Sequence, residues 1–233
     1  MKYGFLILLG LVQATHAANY PVRVGNSTVI IQVHKQGEGK AFVHVHQNET
    51  TALAAAQAIV AAEGGSILTL VHSGERNIVF NLHAIRYEFD PNRIYSSAGI
   101  KKTLTQFGSY STEAHREVNR LAKRIKCLLP KGKIIAVHNN QSYSLKNYLP
   151  GSDLAEDAQA LHFYDKANYR NFYLVTQEQD YVRLKDHNFN SILQAQSATD
   201  DGSLSVYLAG RDYINVEAGY DQLAAQIRML KYA

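Results

Sequence analysis

The sequence contains a single cysteine, Cys127, among its 233 residues. A disulfide within the chain therefore cannot form, and the fold must be stabilised by its hydrophobic core alone. Hydrophobic residues make up 46% of the chain, which is enough to build such a core. Cys127 lies in the segment RLAKRIKCLLP, on the apolar side of a predicted helix. We therefore expect it to be a buried structural thiol rather than a reactive one.

The sequence begins with an apolar run, Gly4 to Val12, that is too short to span a bilayer as a stable anchor. The run follows the basic residue Lys2 and leads to the small residue Ala17, which is the layout of a secretory signal peptide. Residues 1–17 are therefore predicted to be a cleaved signal, with the mature chain starting near Ala18. We expect a periplasmic or secreted protein with no stable membrane anchor after cleavage. The alternative is a retained N-terminal membrane tether.

The chain also lacks a large excess of charge, since its formal net charge is +4. Basic residues cluster in the segment HREVNRLAKRIK, but their spacing is typical of a solvent-exposed helix face rather than a nucleic-acid patch. We therefore expect no nucleic-acid partner. The sequence shows no internal repeat, low-complexity tract or linker, so residues 18–233 are predicted to form one domain.

Segments with the alternation and β-branched residues of strands are interspersed with segments of helical periodicity. The predicted strands include AFVHVH, SILTLVH, KIIAVHNN, NFYLVTQ, SLSVYLA and YINVEAG, and the predicted helices are ETTALAAAQAIVAAEGG, residues 112–129 and the closing YDQLAAQIRMLKYA. This order predicts an α/β fold: a single domain with a mostly parallel, twisted mixed sheet and helices on both faces. Ligands of such sheets bind beyond the carboxyl ends of strands.

Three predicted strands end in side chains that can bind a metal ion: His46 with Glu49, His138, and Glu217. Imidazole and carboxylate groups are zinc ligands, and a catalytic zinc site leaves the fourth position for water. His46 and Glu49 are close enough in the sequence to hold one ion. The alternative is a surface histidine beside a helix-capping glutamate. His44 could chelate together with His46, but that pairing leaves Glu49 unexplained, so we interpret His44 as a core residue or a support for the ligands.

Two further features predict a substrate site beside the metal. Asn92 and Arg93 follow Pro91, whose ring restricts the backbone, and an arginine binds a carboxylate through two parallel hydrogen bonds. Glu217 ends an apolar strand, where a carboxylate is costly to bury unless its charge is used.

Together these segments resemble the zinc carboxypeptidase superfamily, and most closely its branch of succinylglutamate desuccinylase and aspartoacylase. HQNE is similar to the His-Gly-Asn-Glu of that branch, and RYEFDPNRIY is the most specific match. The matching segments extend from His46 to Glu217. The resemblance implies a zinc carboxypeptidase-like fold and one Zn²⁺ ion bound by His46, Glu49 and His138. It also implies that Glu217 is the general base and acid.

The resemblance further implies that Asn92 and Arg93 bind a free carboxylate of the substrate. The alternative is that Arg93 pairs with Asp90 or another local acid and serves structure only. Arg86 would polarise the scissile carbonyl, and Arg76 is a rival for that role. The implied reaction is hydrolysis of an amide next to a free carboxylate, in a small peptide or an N-acyl amino acid. Cell-wall and nutrient peptides are the substrates that an exported enzyme would meet. Glu217 would accept a proton from the attacking water and pass it to the leaving amine.

The sequence departs from this family in several places. Gln47 stands where the family has a glycine after the first histidine. Only sixteen residues follow Glu217, so we expect the C-terminal β-domain of aspartoacylase-like enzymes to be absent and the cleft to be more open. The late tyrosine of the carboxypeptidases could be Tyr207 or Tyr213.

Two functions other than hydrolysis also fit the fold. One is an exported metal- or haem-binding protein without hydrolase activity, and the other is an inactive scaffold. Glu217 distinguishes the first from a hydrolase, because a site that only binds a metal does not need a carboxylate opposite the ion.

Overall fold

The structure, a computed structural model, describes residues 15–233. Residues 1–14 of the predicted signal peptide lie outside the described residues, and residues 15–17 begin the first strand. Cleavage near Ala18 stays a prediction. No helix within residues 15–233 is both long and apolar enough to cross a membrane.

The described residues form eleven strands and six α-helices, with three short 3-10 helices between them. The strands are β1 (Thr15–Val24), β2 (Ser27–Gln36), β3 (Lys40–His44), β4 (Gly65–Val71), β5 (Ile78–Leu82), β6 (Ile85–Phe89), β7 (Ile134–Asn140), β8 (Ala158–His162), β9 (Phe172–Val175), β10 (Ser191–Gln194) and β11 (Tyr213–Gly219). The helices are α1 (Thr50–Glu63), α2 (Ser97–Phe107), α3 (Thr112–Leu128), α4 (Glu178–Asp186), α5 (Leu204–Tyr207) and α6 (Leu223–Tyr232). The 3-10 helices cover Pro91–Arg93, Leu145–Tyr148 and Ala155–Asp157.

Nine of the described strands form one mixed sheet in the order β1-β2-β4-β3-β7-β11-β9-β10-β8. In its centre β4, β3, β7 and β11 are parallel neighbours. Antiparallel pairs flank this centre, β2 with β4 and β9 with β11. β5 and β6 form a separate antiparallel pair. Because the central strands are parallel, the carboxyl ends of β3, β7 and β11 lie at one edge of the sheet.

The central strands are buried on both faces, since successive side chains of a strand point to opposite sides. On β3, Val43 packs into a core with α2 and α3, whereas Phe42 packs into a second core with α1 and α6. On β7, Ile134 and Ile135 divide in the same way between the two cores. Helices therefore cover both faces of the sheet, and the predicted single α/β domain is confirmed.

The segment SLSVYLA, predicted as a strand, contains the short helix α5 instead. The hydroxyl of Ser203 caps this helix by accepting a hydrogen bond from the backbone N–H of Val206. Leu204 and Leu208 are both buried, and their separation by four residues is the spacing of a helix rather than a strand. The strand prediction was wrong because Leu204 and Val206 alternate with polar residues as in a strand, whereas Ser203 caps a helical turn.

Cys127 is exposed, so the prediction of a buried thiol was also wrong. The buried face of α3 carries Leu121, Ala122 and Ile125. At about 100° per residue, a position two residues beyond Ile125 turns to the opposite side of the helix. The helix was predicted correctly, but its buried face was not.

Candidate active site

A cleft of about 490 Å³ opens at the carboxyl ends of the central strands. His46 follows β3 by two residues, Glu49 directly precedes α1, His138 lies in β7 and Glu217 lies in β11. All four side chains line this cleft, although they are far apart in the sequence. The parallel pairing of β3, β7 and β11 therefore produces the shared site that the strand ends predicted.

His46, Glu49 and His138 form a buried cluster. The Nδ1 atoms of the two histidines are 3.2 Å apart. Oε1 of Glu49 lies 3.0 Å from Nδ1 of His46, and Oε2 lies 2.9 Å from Nδ1 of His138. One atom from each residue therefore points to a common centre, and these atoms lie within 4.8 Å of one another.

These spacings fit a single zinc ion. Two nitrogens bonded to zinc at about 2.0–2.1 Å with a tetrahedral angle are separated by about 3.3 Å, close to the 3.2 Å between the two Nδ1 atoms. Two histidines and one glutamate are also the ligands of a known class of catalytic zinc site. The residues present therefore fit Zn²⁺, with both Nδ1 atoms and the Glu49 carboxylate as ligands.

Asp90 supports His46 from the other side of the imidazole ring, and sequence reasoning missed this role. Oδ1 of Asp90 lies 2.7 Å from Nε2 of His46 and accepts a hydrogen bond of 2.7 Å from the backbone N–H of Asn92. The backbone N–H of Asp90 donates to the hydroxyl of Thr103 at 2.9 Å. A carboxylate on one ring nitrogen selects the tautomer whose other nitrogen is free to bind metal. The only signal in the sequence was an aspartate directly before Pro91, a position that caps a helical turn.

The charged groups of the cluster shift one another's pKa values. Burial disfavours the charged form of His46, but the carboxylates of Glu49 and Asp90 outweigh this effect and raise the pKa of His46 to about 9. Burial opposes ionisation of Glu49, yet His46 and His138 hold the pKa of Glu49 well below its usual range. Glu49 is therefore ionised at neutral pH, and a buried carboxylate between two imidazoles is suited to a divalent cation.

Glu217 lies beside His138, its register partner on the neighbouring strand. Oε2 of Glu217 accepts a hydrogen bond of 3.0 Å from the side-chain amide of Asn140, and Oε1 accepts one of 3.1 Å from that of Asn215. Burial raises the pKa of Glu217; the nearby His138 opposes this effect and the carboxylate of Glu49 adds to it, so the pKa stays above its usual range. A raised carboxyl pKa suits a group that takes up and returns a proton near neutral pH. Sequence reasoning missed both asparagines.

Arg86, predicted to polarise the scissile carbonyl, does not lie at the cleft. It is on β6 next to Tyr87, whose ring is buried and stacks on Phe80. Because side chains alternate along a strand, Arg86 points to solvent, where it pairs with Glu88 at 2.6 Å. The structure therefore corrects the placement of Arg86 in the site.

Arg76, the rival candidate, lines the cleft. Its guanidinium donates a hydrogen bond to Oε1 of Glu49 and lies 3.5 Å from Oδ2 of Asp90. These two carboxylates place a cation directly beside the candidate metal site, where it can stabilise negative charge on a substrate oxygen.

We expect Arg76 and Arg86 to respond differently to the same substitution. Arg76→Met should lower kcat/KM by about a hundredfold or more, the usual effect of removing one donor to a developing oxyanion. Arg86→Met, the matched control, should change kcat/KM by less than about twofold, because this side chain is exposed and pairs with Glu88 away from the cleft. Steady-state kinetics on a substrate identified by an activity screen measures both effects. Equal losses in the two variants would contradict the assignment of Arg76.

Asn92 and Arg93 both line the cleft, and their role as a carboxylate-binding pair stays a prediction. Oδ1 of Asn92 accepts a hydrogen bond of 3.1 Å from the backbone N–H of Leu204. Nε of Arg93 lies 3.5 Å from Oδ2 of Asp201, an acid that sequence reasoning did not associate with it. A substrate carboxylate at Arg93 would therefore compete with Asp201.

Of the two tyrosines considered from the sequence, Tyr213 lines the cleft, whereas Tyr207 is partly exposed and stacks on Tyr95. The cleft wall also contains Tyr143 and Tyr148, whose hydroxyls are hydrogen-bonded to each other. These two phenols lie on the segment that follows β7 and are further candidates for a role in substrate binding.

Buried polar groups hold the elements of the site together. The ring nitrogens of His44 contact the hydroxyl of Thr69 at 2.8 Å and the backbone carbonyl of Glu49 at 3.0 Å. Asn139 accepts a hydrogen bond from the backbone N–H of Ala52 in α1 and donates one to Gln226 in α6. These contacts connect the turn of residues 46–49, which carries two of the candidate ligands, with β4, β7 and α6. They limit how far the candidate ligands can separate.

No known family model matches the chain, and no curated protein sequence matches it. Among solved structures, the chain is similar to the crystal structure of an aspartoacylase family protein from Mesorhizobium loti, with a TM-score of 0.46 and 11% sequence identity. The similarity covers 94% of this chain and 66% of that protein, so the chain spans just under two thirds of its length. The roles of individual residues therefore rest on the geometry of the cleft.

Proposed function

We propose that the protein is a zinc-dependent amide hydrolase that cleaves an amide next to a free carboxylate in a small peptide or N-acyl amino acid. One observation carries the proposal: the ligand set of His46, Glu49 and His138 shares its cleft with the buried carboxylate of Glu217. A metal site alone does not need this carboxylate, whereas hydrolysis requires a base.

Each residue of the cleft has a chemical task in this reaction. When bound, a zinc ion would supply Lewis-acid polarisation of the attacking water and the scissile carbonyl. Glu217 accepts a proton from the water at its carboxylate and returns it to the nitrogen of the leaving amine. The amides of Asn140 and Asn215 hold the Glu217 carboxylate in place. Arg76 donates hydrogen bonds to the carbonyl oxygen as negative charge develops there.

The substrate carboxylate binds at Arg93, which lines the cleft together with Arg76 and feels the charge of Asp90. Two guanidinium groups next to a metal site favour a substrate with a negative charge close to the scissile bond. Export through residues 1–17 stays a prediction, and an exported enzyme of this class would act on cell-wall or nutrient peptides.

The proposal is tested by metal analysis of the purified protein together with an activity screen. Zinc-loaded protein is incubated with a panel of N-acyl amino acids and murein peptides, and released primary amine is measured. We expect one bound zinc per chain and amine release from at least one member of the panel. Stoichiometric zinc without any amine release would favour the metal-binding function over the hydrolase.

We expect Arg93 to recognise the free carboxylate of the substrate. Converting that carboxylate to its primary amide should lower kcat/KM about 10- to 100-fold, because a hydrogen bond to a charged group typically contributes about 1.5–3 kcal/mol. In Arg93→Met the free acid and its amide should be hydrolysed at similar rates. Equal rates on the two substrates with the wild-type protein would rule out recognition of the free carboxylate by Arg93 and indicate cleavage within longer chains.

A further inference from the structure

We propose that Gln47 is a positioning residue. Its side chain connects the loop of residues 72–77, which we call the Arg76 loop, to the turn of residues 46–49 by hydrogen bonds, and thereby holds Arg76 at the cleft. Gln47 stands where the resembling family has a glycine, which has no side chain to make this link. The chemical role of Arg76 rests on the proposed function, whereas its placement by Gln47 does not.

The side chain of Gln47 joins two separate elements. Its Oε1 accepts hydrogen bonds from the backbone N–H groups of His72, at 2.6 Å, and Gly74, at 3.0 Å. These are the first and third residues after β4, which ends at Val71. Gly74 has a φ of 88°, a conformation that suits glycine, so the loop makes a tight turn at the second of these bonds.

The rest of the Arg76 loop has few other attachments. At its far end, the side-chain amide of Asn77 donates a hydrogen bond of 2.8 Å to Glu88 on β6. Residues 73–76 are exposed. A segment with little buried surface is held mainly by its hydrogen bonds, so the pair of bonds to Gln47 determines where the first half of the loop lies.

Arg76 depends on this placement because its own side chain is 46% exposed. Its partners are Glu49 and Asp90, both at the candidate metal site. Gln47 and Glu49 belong to the same turn. Glu49 contacts the guanidinium of Arg76 directly, and Gln47 contacts the backbone of the Arg76 loop. A loop that moved away would separate the guanidinium from both carboxylates.

Amide hydrogen exchange and arginine modification test the proposal without depending on catalysis. Gln47→Met keeps a side chain of similar length but removes the acceptor. In this variant the N–H groups of His72 and Gly74 should exchange about fivefold to tenfold faster, as measured by NMR. Modification of Arg76 by p-hydroxyphenylglyoxal, followed by peptide mapping, should be about fivefold faster for the same reason.

Two further variants complete the test. Gln47→Glu retains an acceptor oxygen and should restore both rates to near the wild-type values. Gln57→Met changes an exposed glutamine on α1 and should alter neither rate. Circular dichroism checks that each variant is folded. If Gln47→Met does not fold, the exchange and modification rates of Gln47→Glu are compared with those of the wild-type protein instead.

Unchanged exchange at His72 and Gly74 in Gln47→Met would overturn the proposal. Faster exchange with unchanged modification of Arg76 would also overturn it, because the loop would then be fastened without positioning the arginine. Failure of Gln47→Glu to restore the rates would show that the acceptor is not what matters. If both rates rise as expected while the wild-type protein releases no amine from the substrate panel, the positioning role stands and the hydrolase function fails.

Discussion

Replacing Glu217 with glutamine should leave zinc bound and lower kcat by about a hundred- to ten-thousand-fold, the usual contribution of a general base. Glutamine keeps the shape of the side chain, but its amide cannot accept the proton of the attacking water. The carboxylate is held by Asn140 and Asn215 and is not one of the three atoms that converge on the metal site. Its loss should therefore affect turnover far more than metal binding.

The measurement combines zinc content with steady-state kinetics on the best substrate of the panel. Glu178→Gln is the matched control, because it makes the same chemical change at an exposed position at the start of α4. It should leave kcat within about twofold of the wild-type value, as expected for a surface substitution. If Glu217→Gln retains near wild-type turnover, Glu217 is not the base.

Replacing His138 with alanine should abolish stoichiometric zinc binding while the chain stays folded. The change removes one of the three proposed ligands and leaves the carboxylate of Glu49 with His46 alone. Changes to residues that merely support a ligand typically weaken metal binding about 10- to 100-fold, so loss of a ligand should weaken it by more. The hydrophobic side chains of β7 that build the two cores are not touched by this substitution.

Two further variants with smaller expected losses of zinc affinity make this test specific to the geometry of the site. Asp90→Ala removes the partner of Nε2 on His46 and should weaken zinc binding about 10- to 100-fold, an intermediate effect. His187→Ala changes an exposed histidine at the end of α4 and should have no effect. Zinc affinity is measured by competition with a chromogenic chelator. Wild-type affinity in His138→Ala would contradict the assigned ligand set.

The sequence by itself was sufficient to identify the residues that converge on the cleft from the strand ends. His46 and Glu49 follow an apolar strand, His138 and Glu217 lie two residues before the ends of theirs, and the element order predicts parallel neighbours. The periodicity of apolar residues indicates whether a segment forms a helix or a strand, and parallel strands bring their carboxyl ends to one edge of the sheet. Burial of strands on both faces also follows from local composition, which is why the α/β fold could be predicted.

Only the tertiary structure decided which loop residues reach that edge. The sequence favoured Arg86 over its rival Arg76. In the structure the alternation of side chains along β6 turns Arg86 outward, and the hydrogen bonds of Gln47 bring the Arg76 loop to the site. Asp90 and Asn215 likewise gain their roles from contacts with His46 and Glu217. A loop has no periodicity that encodes its path, so its position depends on hydrogen bonds to distant segments, which exist only once the chain has folded.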